Sequence, residues 1–560
     1  MPITPTYPGV YIDEVQSSVH TIVGVPTSVA AFVGYAARGP VDTAIQANSW
    51  ADYERSFGGL DPSSPMSYAV FLFFINGGNV AQVVRAGDTE TDPAKKAAAT
   101  KIALSDDVIL VASSPGSWGD KLQLVVDTSN VRDSKTQFNL TITDGGSGSV
   151  ERYTNLVLKK GSTGVPIAAA LASSRLMGVN PGSELTKIPA PGTYKVKTFT
   201  KPDANGGAGN GAAVAKEGDD AKPADQAPPG GGSAGVDVNA EKLAVPGDQG
   251  NRTGIYALAK VDIFNMLCLP TAPDKTYEAG ILSQATAFCK QRRAMLIVDP
   301  PTTWWTDPAG STADGKQAPT PPDPLPVPAP LSFKGVVRWP AVTSDQDYAA
   351  VYYPNLLVAD PVTGATITQG PCGAVAGVWA STDDARGVWK APAGTAAGIA
   401  GISDLTVHID DGESGVLNPV AVNCLRTLPL VGSVSWGART AAGLDEMPSQ
   451  WKYIPVRRTA LFIEESVRRG TQWAVFEPND EPLWSSIRLN ISAFMNSLFK
   501  QGAFQGSKPA DAYLVQCDAS NNPQSSIDQG ILNILVGFQP LVPAEFVIIH
   551  IEQLVGQLPG

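Results

Sequence analysis

Three histidines are the whole imidazole supply of this 560-residue chain, and imidazole is the side chain on which acid-base and metal chemistry near neutral pH most often draw. His20, His408 and His550 each stand alone, with no second histidine at helical or turn spacing. His408 sits in LTVHIDDGESG beside Asp410, Asp411 and Glu413, but these lack the ligand order of a calcium loop and read as a solvated acidic turn. The run GSTADGK, Gly310 to Lys316, has the spacing of a phosphate-binding loop. Gln317 nevertheless replaces the hydroxyl that would hold magnesium, no strand leads in, and prolines follow where the helix should start. GGSAG, Gly231 to Gly235, fits a nucleophile elbow in letters only, because a Gly-rich stretch cannot strain Ser233 into the required strand-to-helix turn.

The adjacent acids Asp383 and Asp384, and Glu464 and Glu465, point in different directions on any regular element, so they make poor acid-base pairs. Cys268, Cys289, Cys372, Cys424 and Cys517 are widely spaced, without a C-x-x-C pair, and read as reduced, buried thiols of a chain folded in the cytoplasm rather than a zinc framework. No catalytic, cofactor-binding or metal-ligating residue is expected, and the chain is not expected to be an enzyme. The formal net charge of −12 argues against a nucleic-acid partner, since phosphate neutralisation is the main non-specific term there. No secretory signal pattern and no apolar run near eighteen residues is present, which predicts a soluble protein without membrane insertion. The pairs Arg292-Arg293, Arg457-Arg458 and Arg468-Arg469 stand out in an acidic chain. Salt-bridged helix ends are the plain reading, and a basic strip against an acidic partner is the functional one.

The elements that would position such residues are clearest over 451–506. Trp484, Ile487, Ile491, Phe494, Met495 and Leu498 form one apolar helical stripe, with Asn479 or Asp480 as its cap, Pro482 in its first turn and Gly502 at its close. A shorter helix is predicted over Leu461 to Arg469 and a short buried strand over Trp473 to Phe476. Upstream, strands and helices alternate from residue 28 to 85, the sign of an α/β layer. Strand patterns separated by turn-rich stretches fill 107–160. Residues 201–250 nearly lack large apolar groups and predict a mobile excursion. A strand-helix-strand unit follows over 261–301, then a Pro-rich loop. The chain is long enough for about two to four domains. Both ends read as strands: an extended arm with prolines before Gly9, and AEFVIIHIEQ, which is an aggregation hazard unless covered. The ends either complete the protein's own sheet or add to neighbouring copies head to tail, giving rings or a helical filament.

Ordered blocks along the chain, among them PTYPGVYIDEV, GVPTSVAAFVG, FFINGGNVAQVVR, SPGSWGDKL, LIVDPP, YAAVYYP, AGVWASTDDARGVWKAPAG, GVLNPVAVNCLR, VSWGART, YIPVRRT, QWAVFEPND and PAEFV, resemble the sheath proteins of contractile phage tails and related contractile injection systems. The segments 186–250 and 306–335 carry no such blocks. The resemblance implies a multidomain fold of mixed α/β and α+β type, with an inner domain formed by both chain ends, inserted β-rich and α/β outer domains, and extended terminal strand arms. On this chain that gives an N-terminal arm 1–20, an inner domain 21–100 and 346–543, a β-rich insertion 101–185, a Gly/Pro-rich mobile insertion 186–250, an inserted α/β part 251–345 with its Pro-rich loop at 306–335, and a C-terminal arm 544–560. It implies a subunit that stacks with itself as six-fold rings around an inner tube, meets baseplate and terminal cap proteins, and contracts on stored interface energy without nucleotide or cofactor. Tyr7, Val10, Tyr11, Ile12, Val15, Phe546, Val547, Ile548, Ile549 and Ile551 would form the inter-subunit arms, and Arg457, Arg458, Arg468 and Arg469 the tube contact. Such a protein assembles in the cytoplasm as part of a phage tail or phage tail-like particle released by lysis. A static tube or shell protein is the alternative, and an α/β hydrolase using His408 or Ser233 a third.

Overall fold

Val29–Gly34 (β1) reads VAAFVG and is buried at every position, as a strand covered on both faces must be. The computed structural model describes residues 21–549, apart from 93–94, 106, 159–162, 184–185, 197–213, 218–232, 235, 239–242, 244, 273–274, 276–278 and 301–344. β1 pairs in parallel with Val80–Arg85 (β3) on one side and Met266–Cys268 (β4) on the other. From β4 the sheet continues through Met295–Val298 (β5), Ala349–Tyr353 (β6) and Val422–Leu428 (β7), all parallel. Ala44–Ala47 (β2) and Gly432–Ser435 (β8) close the edges as antiparallel strands, giving one eight-stranded sheet in the order β2-β3-β1-β4-β5-β6-β7-β8. Residues 251–300 are therefore not an outer insertion. Their runs MLC and MLIV are buried throughout, and strands apolar on both faces belong in the middle of a covered sheet.

Helices Trp50–Phe57 (α1), Pro65–Ile75 (α2), Ala279–Arg292 (α3) and Cys372–Arg386 (α4) accompany the sheet. α1 is capped by the Ser49 side chain and closed by Gly58 at φ 101°. α2 and α4 touch through glycine: a Cβ on Gly377 would stand 2.6 Å from the Phe73 carbonyl oxygen, and one on Gly373 would overlap the Ala69 carbonyl. At the carboxyl end of β5, Asp299 Oδ1 accepts from the Cys372 amide at 2.8 Å where α4 starts, and burial pushes its carboxyl up to about 6. The loops beyond the carboxyl ends of β1 and β3 are tied together by Arg85. It is fully buried and donates to the carbonyls of Ala37, Gly39 and Pro115 at 3.1, 2.9 and 2.8 Å.

The β-rich region forms a six-stranded and a three-stranded sheet around its own core, which includes Leu110, Leu124, Phe138, Leu140, Ile142 and Tyr194. It reaches into the stretch expected to be mobile. Gly192–Val196 pairs with Leu122–Asp127, because Tyr194 and Val196 alternate inward and are 2% and 8% exposed. Ser233 and Val236 pair through their backbones with Lys101 and Ala98.

Ile454–Gly470 (α5) and Glu481–Lys500 (α6) pack with the hairpin of Tyr513–Gln516 (β9) and Leu535–Phe538 (β10) over Ile22, Ile463, Trp484, Ile487, Ile491 and Met495. Asp480 caps α6, Pro482 lies in its first turn, and Gly502 follows at φ 78°, as the sequence predicts. α5 begins seven residues earlier than predicted, with Pro455 in its first turn. The strand expected over Trp473 to Phe476 is instead a 3-10 turn at Gln472–Ala474, after which Val475 and Phe476 are 62% and 102% exposed.

Candidate assembly interface

The C-terminal run is the described part of the expected arms. Tyr7, Val10, Tyr11, Ile12, Val15 and Ile551 lie outside the described residues, as do His20, His550 and the Gly310–Lys316 motif. Residues 541–549 carry no helix, turn or ladder, so AEFVIIHIEQ does not complete the chain's own sheet over its described part. Phe546, Val547, Ile548 and Ile549 are 73%, 78%, 77% and 77% exposed. An apolar, β-prone run left this bare is a template for pairing with another chain.

Its root is held by Glu545. Oε1 accepts from Arg439 Nε and Asn418 Nδ2, both at 2.7 Å, and Oε2 accepts from Arg439 Nη2 at 2.8 Å and the Tyr453 hydroxyl at 3.0 Å. Burial alone would raise the Glu545 carboxyl, but the bonds from Arg439 and Asn418 hold it below the usual carboxylate range. Arg439 is 1% exposed and turns Nη1 to the Asn418 and Gly443 carbonyls and to Asp445. Nothing in the letters around Glu545 marked it as a site, except that it is the lone acid in the apolar run VPAEFVII. Tyr453 is the N-cap of α5. At the other end of α5, Ile22 lies against Gly470, and the Val25 amide donates to Ser466 Oγ at 3.1 Å. The chain thus leaves toward its N-terminus and toward its C-terminus at opposite ends of a 17-residue helix, roughly 25 Å apart at 1.5 Å per residue. Beside the root, β9 and β10 form a two-stranded sheet whose outer face shows Leu514 and Leu535, 54% and 51% exposed.

The four arginines expected to face a tube separate into two groups. Arg457 and Arg458 are each 4% exposed, so they are interior residues and not a surface strip. Arg458 holds Asp383 with Nη1 and Nη2 at 2.8 and 2.6 Å, and burial raises the Asp383 carboxyl against the pull of that arginine. Arg457 lies between the rings of Tyr348 and Trp451, 4.1 and 4.5 Å from their centres, and pairs with Asp347 at 3.2 Å. Arg468 and Arg469 remain at the surface, yet both bind Glu465, and Arg469 also binds Asp262. Arg292 donates to the carbonyls of Ala259, Val261 and Asp262, while Arg293 joins Glu464 and Glu465.

The remaining chemical candidates stay apart. His408 meets Asp404 at 3.2 Å on an exposed surface, and Asp410 with Glu413 makes the capping box of a helix over Asp411–Leu417. Ser233 is an exposed edge residue paired to Lys101. All five cysteines are buried and free. Among the described residues no group of three or more histidine, cysteine and acidic side chains gathers as for a metal, and no helix is long and apolar enough to cross a membrane.

Residues 446–553, which include α5, α6, the hairpin, Tyr453 and Glu545 but not Asn418 or Arg439, match the family model described as the phage tail sheath C-terminal domain. The chain is 27% identical over 179 residues to the tail sheath protein of Vibrio phage KVP40, covering 32% of this chain and 25% of that protein. It is 28% identical over 214 residues to the tail sheath protein of Burkholderia phage BcepMu, covering 37% and 43% of the two chains. The aligned part therefore spans less than half of either phage protein. Among solved structures, the helical sheath of the anti-feeding prophage in its contracted state is similar in fold, with a TM-score of 0.53 at 22% identity over 98% of this chain and 100% of that one. A sheath C-terminal domain model thus matches one stretch of the chain, phage sheath proteins resemble about a third of it, and its fold is similar over nearly its whole length to that of a contractile sheath subunit.

Proposed function

We propose that the chain is the repeating subunit of a contractile sheath. Copies stack as six-fold rings in a helix around an inner tube, and neighbours are joined by terminal arms that add as strands to one another's sheets. On release at the baseplate, subunits rotate and slide into a shorter, wider lattice, and the interface energy set free drives the tube through a target envelope. The role is mechanical rather than enzymatic and uses no nucleotide. The inner tube, baseplate and terminal cap are its partners, with Arg468 and Arg469 the part of the arginine set left to face the tube.

The observation that carries this reading is the bare run Phe546–Ile549, rooted on the body by a buried arginine. Exits at opposite ends of α5 favour a head-to-tail partner, because unlike surfaces in contact propagate as rings or filaments. Chains lacking 1–16 or 546–560 should fold and melt as the intact chain does but fail to elongate, as seen by sedimentation and electron microscopy. Normal polymers from both truncations would refute strand exchange, and tubes of one fixed diameter under every condition would point to a static tube or shell.

A further inference from the structure

The root of the C-terminal arm is attached in an economical way. The chain is paired to the body up to Pro540: the Gln539 amide donates to the Ala512 carbonyl at 2.8 Å, the Gln505 amide to the Gln539 carbonyl at 3.0 Å, and Phe504 bridges Pro540. From Leu541 to Ala544 no hydrogen bond to the body occurs among the described residues. This stretch instead forms one wall of a cavity of about 620 Å³, with Trp389, Lys390, Trp436 and Tyr453 across from it. At Glu545 the chain is fastened again by four donors. A segment that spans a void lacks the dense contacts that tie an element to its core, so its two pins decide where it lies. Opening the outer pin takes the acceptor from Arg439 Nε and Nη2 but does not release the arginine itself. When Glu545 leaves, Arg439 Nη1 keeps the carbonyls of Asn418 and Gly443 and the Asp445 carboxylate.

We propose that Leu541 to Glu545 is a releasable strap that sets the reach of the arm. With Glu545 fastened, the arm begins at Phe546. With it open, the arm begins at Leu541, and its root shifts by up to roughly 17 Å at about 3.3–3.4 Å per residue. A subunit that slides past its neighbour while their strands stay paired draws on that length. This last step rests on the sheath reading above.

The test pulls on the full-length chain through a C-terminal handle, with the body anchored. The intact chain should lengthen in one low-force step of at most roughly 17 Å before the body unfolds. Glu545→Gln, which keeps shape but removes the charge, should abolish the step, and Tyr453→Phe, which removes one donor, should lower its force. Assembled polymers of Glu545→Gln should convert to the short state about tenfold faster in mild denaturant, the rate change expected when a charge-assisted hydrogen bond is lost before the transition state. No step in the intact chain, or an unchanged step in Glu545→Gln, overturns the strap. A lost step with an unchanged conversion rate overturns its use in sliding. Normal polymers from chains lacking 546–560 overturn the part of this arm in strand exchange instead, whatever the pulling shows.

Discussion

Glu465 gathers several guanidinium groups on one carboxylate: Arg468 donates at 2.8 and 2.6 Å, Arg469 at 2.7 Å and Arg293 at 3.4 Å. Burial alone would raise its carboxyl, but the bonds from Arg468 and Arg469 bring it from 4.5 down to about 2. A carboxyl lowered in the folded state stabilises the fold above its unfolded value and loses that contribution as pH falls through the folded one, here from 4.5 toward about 2. Glu465→Gln should therefore unfold more easily at pH 7 by about 1–2 kcal/mol, a figure discounted for the solvent reaching Arg468. The gap should close near pH 2 in denaturant titrations, and equal stability at pH 7 would mean that the cluster is a solvated surface feature only. The four arginines of 457–469 look alike in sequence, and the residues that distinguish them are remote. Asp383 lies 75 positions from Arg458, and Asp262 lies 207 from Arg469. Local spacing shows a charge; only the fold shows which carboxylate answers it.

Between α2 and α4 the contact is backbone on backbone, and glycine makes it so. Gly377→Ala would place its methyl 2.6 Å from the Phe73 carbonyl oxygen and from Asn76 Cβ. Alanine gains about 1 kcal/mol in helix propensity, but overpacking against backbone costs about 1–3 kcal/mol, and two helices must separate to admit it. The variant should melt several degrees lower, while a melt at or above that of the parent would show that α4 can shift freely. Elements whose ends are written locally were legible: the Asp480 cap, Pro482 and Gly502 of α6, and the strands of the β-rich region, follow their side-chain signals. Trp473 to Phe476 was misread because aromatic and branched residues favour a strand only where a partner strand exists, and here the backbone turns, with Phe476 at φ 71°. The place of residues 251–300 in the central sheet was equally hidden, since strand order depends on partners more than 200 positions away, as with Val29 and Asn265.

For the whole molecule, on the sheath reading proposed above, an acidic body of net charge −12 would meet a tube through a cationic surface it retains, and Arg468 is the proposed part of it. Its reversal to Glu should loosen sheath from tube at low ionic strength and matter less at high salt, because screening shortens the reach of exposed charges. Unchanged co-sedimentation at low salt would remove this end of α5 from the tube contact. The ordered blocks in the sequence resemble sheath proteins, yet nothing in it signals the Glu545 clamp, because the clamp joins a strand exit, a helix cap and a terminal run that no local pattern connects. Glu545 lies 106 positions beyond Arg439. At about 5–20 residues per second of synthesis, it is made roughly 5–20 s later, whereas helices and hairpins close within microseconds. α5 and α6, which end 75 and 45 positions before Glu545, are therefore made well before the clamp can close, and the strand of β10 only just before it. If copies join by these arms, as proposed above, a growing chain has no fixed arm to offer a neighbour, and the order of translation would itself hold back joining until most of the body is built.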